Sequence, residues 1–310
     1  MKKICMLIPY FGKFPKWFNL YLYSCSNVKN IDFFYFTDCE IPSKIYSNTF
    51  FIKISYKDYC NLVSEKLNVT FSPSSPYFLV NIKPFLGIIH DNIVRKYTFW
   101  GYSDIDLVYG NLSELLSDDN LKKYDLITTH SERVAGHFTI IRTDSKYSKL
   151  AFKIRDWKNR ISHDTNYIDE GDFSILVFPY FVWIRRLWKY FFSKYLSSND
   201  KYYFYQKIYQ LIHSKALFLE CYTSPIPQKR DVWTYDLKTS TIYVPNRFEN
   251  KKYLGGRRLP YLHFLFFKKT PYLKSKKYWR NNFYQVSEEY DFSKGGKVRI
   301  SWKGIYLQKS

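Results

Sequence analysis

The chain has 310 residues, of which 46% are hydrophobic and 21% aromatic, so it is not a disordered polypeptide and can bury one large core or two small ones. Its 48 Lys and Arg against 27 Asp and Glu give a net charge of +21, of which residues 1–150 carry +4 and residues 151–310 carry +17. The basic half therefore faces something anionic (nucleic acid, a membrane surface or a phosphorylated ligand), or it only keeps the chain in solution.

In chain order, residues 3–8 (KICMLI) form an unbroken apolar run, as expected of a buried parallel strand. The apolar stretch of the first segment, Ile4 to Ile8, ends at Pro9 and is too short for a secretory leader, so a cytosolic N-terminus is expected. No uncharged apolar run reaches the ~18 residues of a membrane span. Pro15 opens a helical segment with Trp17, Leu20, Tyr21 and Ser24. Further strands are expected at 31–37, 50–55, 97–103, 124–129 and 137–143, with helices at 83–94 and at 111–116, the latter capped by Asn111. This alternation predicts an α/β fold with a central, mostly parallel sheet flanked by helices.

After residue 145 the texture changes. Residues 145–161 and 181–195 read as basic amphipathic helices, the second with an aromatic stripe of Phe181, Ile184, Trp188, Phe191, Phe192 and Tyr195. That stripe suits either a core face or an interfacial membrane helix. The last 50 residues mix Lys, Tyr and Trp. With no repeats and no Gly/Ser linker, residues 1–145, as the core, and 146–310, as acceptor-side helices, completion of the sheet and a basic, aromatic-rich C-terminal extension, are expected to form one continuous domain. Five cysteines, an odd number without any CxxC, argue against a disulfide framework or a thiolate zinc site.

The stretch FWGYSDIDLVYGNL (99–112) carries the chemistry. It sets Asp104 and Asp106 at the end of an apolar strand, where open α/β sheets bind ligands. Two carboxylates one residue apart can converge on a hard divalent cation, Mg²⁺ or Mn²⁺, which in turn holds phosphates. Gly101 and Gly110 flank the pair and allow close backbone approach. The same pair could instead be solvated or cap a helix. The strand end and the surrounding α/β pattern bring the cation level with that alternative, and both stay open at this point.

The chain resembles bacterial surface-polysaccharide glycosyltransferases (capsule, O-antigen and lipooligosaccharide enzymes) with the GT-A fold. The segments that carry this are MLIPYFGKFPKWFNLYLYSC with IDFFYFTD, NIKPFLGIIHDNI (81–93), the DxD stretch, HSERVAGHFTIIRT (130–143) and, more loosely, LPYLHFLFFKK (259–269). The resemblance implies a GT-A, Rossmann-type sheet and a nucleotide-sugar co-substrate, most simply UDP-linked. It implies that Pro9, Tyr10, Phe11 and Gly12 form a loop against the nucleotide, with Asp38 near base or ribose. Lys83 would face the nucleotide phosphates, and Asp104 the ribose and the metal. Asp106 would ligate the metal, and His263 would be a third ligand or a diphosphate contact. Lys268 and Lys269 would neutralise the leaving diphosphate.

Breaking a sugar–phosphate bond builds charge on the diphosphate, which a cation and basic side chains stabilise. Direct attack by an acceptor hydroxyl needs a base. Asp169 and Glu170 stand out among acids in the basic half as base or acceptor-binding groups, although helix-start charges give the same pattern. Gly136 and His137 are candidates for the sugar pocket. The expected acceptor is a surface-polysaccharide or lipid-linked glycan at the anionic inner face of the cytoplasmic membrane, where the chain would be peripheral. A metal-dependent phosphoesterase and a basic protein binding nucleic acid or an anionic surface without catalysis are the competing readings. Only six His, without HxH or HxD, disfavour the first, and a nearly neutral DxD half disfavours nucleic acid as partner.

Overall fold

In the computed structural model, the apolar runs at the start of the chain become interior strands. The structure describes residues 3–163, 168–180, 188, 190, 204, 207–208, 215–248, 259–268, 279, 282–287 and 289–308. β1 (Ile4–Pro9), β2 (Ile31–Thr37), β3 (Thr49–Lys53), β4 (Phe99–Ser103), β6 (Leu126–Thr128), β7 (Phe138–Arg142) and β8 (Ala216–Phe218) make one seven-stranded sheet in the order β3-β2-β1-β4-β7-β6-β8. Neighbours pair in parallel except that β7 runs antiparallel to both β4 and β6.

Period-2 alternation divides the core between the two faces. Cys5, Leu7, Trp100, Tyr102 and Ile141 pack on one side with α2 (Tyr56–Leu67) and a 3-10 segment, Pro76–Phe85. Ile4, Met6, Ile8, Phe33, Tyr35 and Ile140 pack on the other with α1 (Phe18–Ser26). Both sheet faces are covered, which is why these strands read as continuous apolar runs. Burying a side chain the size of Trp100, fully enclosed here, contributes roughly 2–3 kcal/mol.

The second half of the chain adds β8 to the central sheet and also builds a second sheet of its own. β9 (Val232–Asp236), β10 (Thr241–Tyr243), β12 (Lys297–Ser301) and β13 (Gly304–Leu307) form an antiparallel sheet in the order β10-β9-β12-β13. Its core residues Trp233, Tyr235, Val298 and Ile300 join Trp17 and Leu20 of the first half. β5 (Leu107–Tyr109) pairs with β11 (Tyr261–His263). No helix among the described residues is long and apolar enough to cross a membrane. All five cysteines are buried and free.

Several local expectations are corrected. The helix expected at 111–116 does not form, because the Asn111 side chain accepts the Ser113 N–H in a local turn. The helix starts later, as α5 (Asp118–Lys123), where the Ser117 hydroxyl accepts from Asn120 N–H. The helix expected at 83–94 is the end of the 3-10 segment followed by the one-turn helices α3 (Leu86–Ile89) and α4 (Asp91–Val94), with Pro84 inside the break. The basic helix expected at 145–161 is a 3-10 segment, Lys146–Lys153, and then α6 (Trp157–Ser162), separated at Asp156 in a left-handed conformation. α2, not anticipated, starts at Ser55, whose hydroxyl accepts Asp58 N–H. The aromatic helix expected at 181–195 lies outside the described residues except for Trp188, which is buried, and Tyr190, which is exposed. Lys269 also lies outside them.

Candidate functional site

Beyond β4 the chain bends at Ile105 and Asp106, and both Asp104 and Asp106 reach the cleft while Ile105 is buried among the core residues of one sheet face. Three contacts pin this turn. Trp17 Nε1 donates to the Ile105 carbonyl at 3.0 Å, Asp104 N–H donates to the His137 carbonyl at 3.3 Å, and the Ser103 and Tyr109 hydroxyls share a hydrogen bond of 2.7 Å. Glycine is required on both flanks, since a Cβ at Gly101 would lie 2.5 Å from the Thr139 carbonyl oxygen and one at Gly110 would lie 2.4 Å from that of Leu259.

β11 brings in the third group. Its register sets His263 opposite Leu107, and Phe264 N–H donates to the Asp106 carbonyl at 2.7 Å. His263 Nε2 then lies 3.1 Å from Asp106 Oδ1 and 3.9 Å from Asp104 Oδ2. One ligand atom from each of Asp104, Asp106 and His263 falls within 4.8 Å of the others. Two carboxylates and an imidazole held this closely on paired strands fit a hard divalent cation. Burial would raise the Asp106 carboxyl, but His263, by charge and hydrogen bond, with Lys268 and Lys83 behind it, holds it below the usual carboxylate range.

Asp104 faces a second partner, Lys83, whose Nζ lies 2.5 Å from Oδ1 and donates to the Gly136 carbonyl at 2.9 Å. Burial works against the Lys83 ammonium, but Asp104, Asp169 and Glu170 outweigh it and raise the group above its ordinary value. Gly136 also donates its N–H to Glu170 Oε1 at 3.0 Å. A Cβ there would sit 2.6 Å from Asp169 Oδ2, so only glycine lets the acidic turn Ile168–Asp172 close on the turn that leads into β7. Asp169 is 7% exposed, and burial pushes its carboxyl up to about 6 despite Lys83 pulling it down. Glu170 pairs with Arg133 at 3.3 Å and Asp172 with Arg160 at 2.5 Å. His137, fully enclosed, is held well below the usual histidine range by burial and then by His263 and His130.

These groups line a cleft of about 610 Å³. Pro9, Tyr10, Lys83, Asp104, Asp106, Gly136, His137, Asp169, Glu170, His263 and Lys268 all reach its wall. Phe11, Gly12 and Asp38 stand off it. The Phe11 ring packs against Tyr56 and Tyr59, and the Asp38 carboxylate accepts Gly12 N–H at 2.7 Å, so these residues shape the loop from behind. The sequence reading missed Trp17 as the clamp on the DxD turn, the rim residues Pro76 and Tyr77, and Trp279, over which Lys268 sits at 5.2 Å. It also missed Glu220 and Ser224, which lie behind the histidines. Glu220, an acid in a basic half, carried the same weak signal as Asp169. Ser224 carried none.

The chain belongs to DUF6625, a family of unknown function, which it matches over residues 6–292. No curated protein matches it.

Proposed function

We propose that this member of a family without assigned function is a divalent-cation-dependent glycosyltransferase of GT-A architecture. It moves a sugar from a nucleotide-sugar donor, most simply a UDP-hexose, to a surface-polysaccharide or lipid-linked glycan acceptor. The observation that carries the reading is the convergence of Asp104, Asp106 and His263 on one point at the C-terminal edge of a mostly parallel sheet, inside the cleft that also holds Lys83 and Asp169. The strand order with a single reversed strand beside β4, and the placement of Pro9 and Tyr10 at the cleft wall, support it further.

Asp104, Asp106 and His263 would hold Mn²⁺ or Mg²⁺, which supplies Lewis-acid stabilisation of the departing diphosphate. In the transfer, the bond between the anomeric carbon and the phosphate oxygen breaks, its electron pair stays on the nucleoside diphosphate, and the acceptor oxygen bonds to the anomeric carbon. Lys83, kept charged by three acids, and Lys268, above Trp279, add positive charge where the departing diphosphate develops negative charge. Asp169 takes the acceptor proton. A carboxyl at about 6 is ionised at neutral pH yet more basic than a free one, which suits a general base. Glu170, fixed by Gly136 N–H and Arg133, orients the acceptor. Basic residues of the second half favour an acceptor at an anionic membrane face, which affinity for anionic liposomes at low salt tests.

The direct test is thermal stabilisation by UDP, GDP and CMP with and without Mn²⁺. Ligand at ~100 times Kd stabilises by about 2.7 kcal/mol. A UDP shift that needs Mn²⁺ and disappears in Asp106→Asn supports the reading. A UDP shift indifferent to both removes its basis. A panel of nucleotide sugars assayed for donor hydrolysis then identifies the sugar.

A further inference from the structure

Behind His263 the chain makes a tight turn whose geometry has one evident product. Between Glu220 and Ser224 the backbone passes through Tyr222 at φ 51°, a left-handed conformation that disfavours a tyrosine. Three clamps hold it there. Glu220 accepts from Tyr222 N–H at 3.1 Å and from the Ser131 N–H at 3.4 Å. Cys221 N–H donates to the Thr129 carbonyl at 3.3 Å, and His263 N–H donates to the Thr223 carbonyl at 2.8 Å. The result places Ser224 Oγ 2.8 Å from His263 Nδ1 and 3.2 Å from His137 Nε2. The two imidazoles are stacked, 4.2 Å between centroids and 18° from parallel.

We propose that Ser224 is the positioning residue of the Asp104–Asp106–His263 centre, fixing both the ring orientation and the tautomer in which His263 binds a cation. The inference rests on the cation reading of that site. His263 Nε2 faces Asp106, so ligation requires a lone pair there and a proton on Nδ1. That N–H donates to Ser224 Oγ. The serine O–H in turn donates a hydrogen bond to His137 Nε2. One hydroxyl thus satisfies two buried imidazoles in a fixed direction. Without it, His263 Nδ1–H is buried unpaired, and the ring gains by moving its proton to Nε2, where it excludes the cation.

The test uses the full chain and Mn²⁺ alone, measured by electron paramagnetic resonance of the free ion, with no sugar donor present. Wild type binds, and Asp106→Asn abolishes binding. Ser224→Ala weakens affinity ~10–100-fold, the usual cost of losing an outer partner of a metal-bound histidine, and Ser224→Thr, which keeps the hydroxyl, restores it. Equal affinity in wild type and Ser224→Ala, or equal loss in the alanine and threonine variants, overturns the role of the hydroxyl while leaving the cation reading intact. A wild type that binds no Mn²⁺ overturns both. A second measurement needs no substitution: ring ¹⁵N shifts of the wild type saturated with Mg²⁺ should show His263 protonated on Nδ1, and protonation on Nε2 refutes the proposal.

Discussion

Replacing Gly136 by alanine tests whether the acidic turn and the turn that leads into β7 are fitted to each other. The added Cβ would lie 2.6 Å from Asp169 Oδ2 and 3.1 Å from both Cγ and Oε1 of Glu170. A relaxed carbon–oxygen contact needs several tenths of an ångström more than the first distance allows. Asp169 has a short side chain and is almost fully enclosed, so it can yield only by pushing the turn outward. Overpacking of this kind costs about 1–3 kcal/mol. Moving the turn also lengthens the 3.0 Å bond from Gly136 N–H to Glu170 and withdraws both acids from Lys83. Function therefore suffers more than folding, since a shift near 1 Å in a reacting group costs roughly 10²-fold in rate. Urea unfolding of Gly136→Ala should show a loss of about 1–3 kcal/mol, and donor turnover should fall about a hundredfold under conditions where the variant is fully folded. A variant as stable and as active as wild type would mean that the two turns are not fitted to each other, and the assignment of Asp169 to the reaction would lose its structural support.

Four further outcomes follow from the structure. Burial pushes the Asp169 carboxyl up to about 6, so kcat/KM should rise tenfold per pH unit below about 6 and level off above it, while Asp169→Asn should lower activity by ~10²–10⁴ and abolish that limb. Because the folded state binds the Asp169 proton more tightly than the unfolded chain, stability from this group is lost as pH rises from about 4 through about 6. Asp169→Asn should therefore be the more stable protein at pH 8, by up to about 3 kcal/mol in urea unfolding, and a less stable variant contradicts the shift. His90, 2% exposed, stacked on Phe36 at 3.7 Å and bonded to the Tyr59 hydroxyl at 3.0 Å, is lowered to about 3 by burial. Here the unfolded chain binds the extra proton, so this group removes about 2 kcal/mol between pH 7 and pH 5. The fall should be smaller by that amount in His90→Gln, and an unchanged pH dependence argues against the buried neutral imidazole. Gly101→Ala should be harsher than Gly136→Ala, with a loss of more than ~3 kcal/mol or failure to fold on expression, because the clash at 2.5 Å is with the Thr139 backbone carbonyl and no side chain can step aside.

The parts of this molecule that are local in sequence were legible there, and the reason is physical. A strand covered on both faces must be apolar at every position, so residues 4–9 and 31–37 announce themselves, and the end of the apolar run 99–103 already marks where Asp104 and Asp106 leave the sheet. Other local signals were present but outweighed. Ser55 with Asp58 is a helix start, and Tyr59, Cys60, Val63 and Leu67 follow at helical spacing, yet the preceding apolar residues drew the strand expectation forward to 55. The same alternation at Trp233 and Tyr235, and at Val298 and Ile300, marks strands that the surrounding Lys and Tyr masked.

The place of His263 beside the two carboxylates was legible only as a possibility, because it depends on a register that no short segment encodes. β11 is three residues long, and its pairing with β5 decides which way each of them points. In the observed register Tyr261 and His263 share a side, and the turn after β11 is tied to Asp106 by the Phe264 N–H. A slip of one residue would aim Leu262 at the carboxylates and send His263 into the opposite core. What opposes the slip is apolar packing: Leu262 belongs to the cluster of Val108, Trp233 and Phe267, whereas Tyr261 packs on Phe138 and Tyr109. The position of the imidazole is thus fixed by hydrophobic neighbours that touch no ligand. Leu262→Asp should therefore disturb cation binding through that register, although residue 262 points away from the cleft.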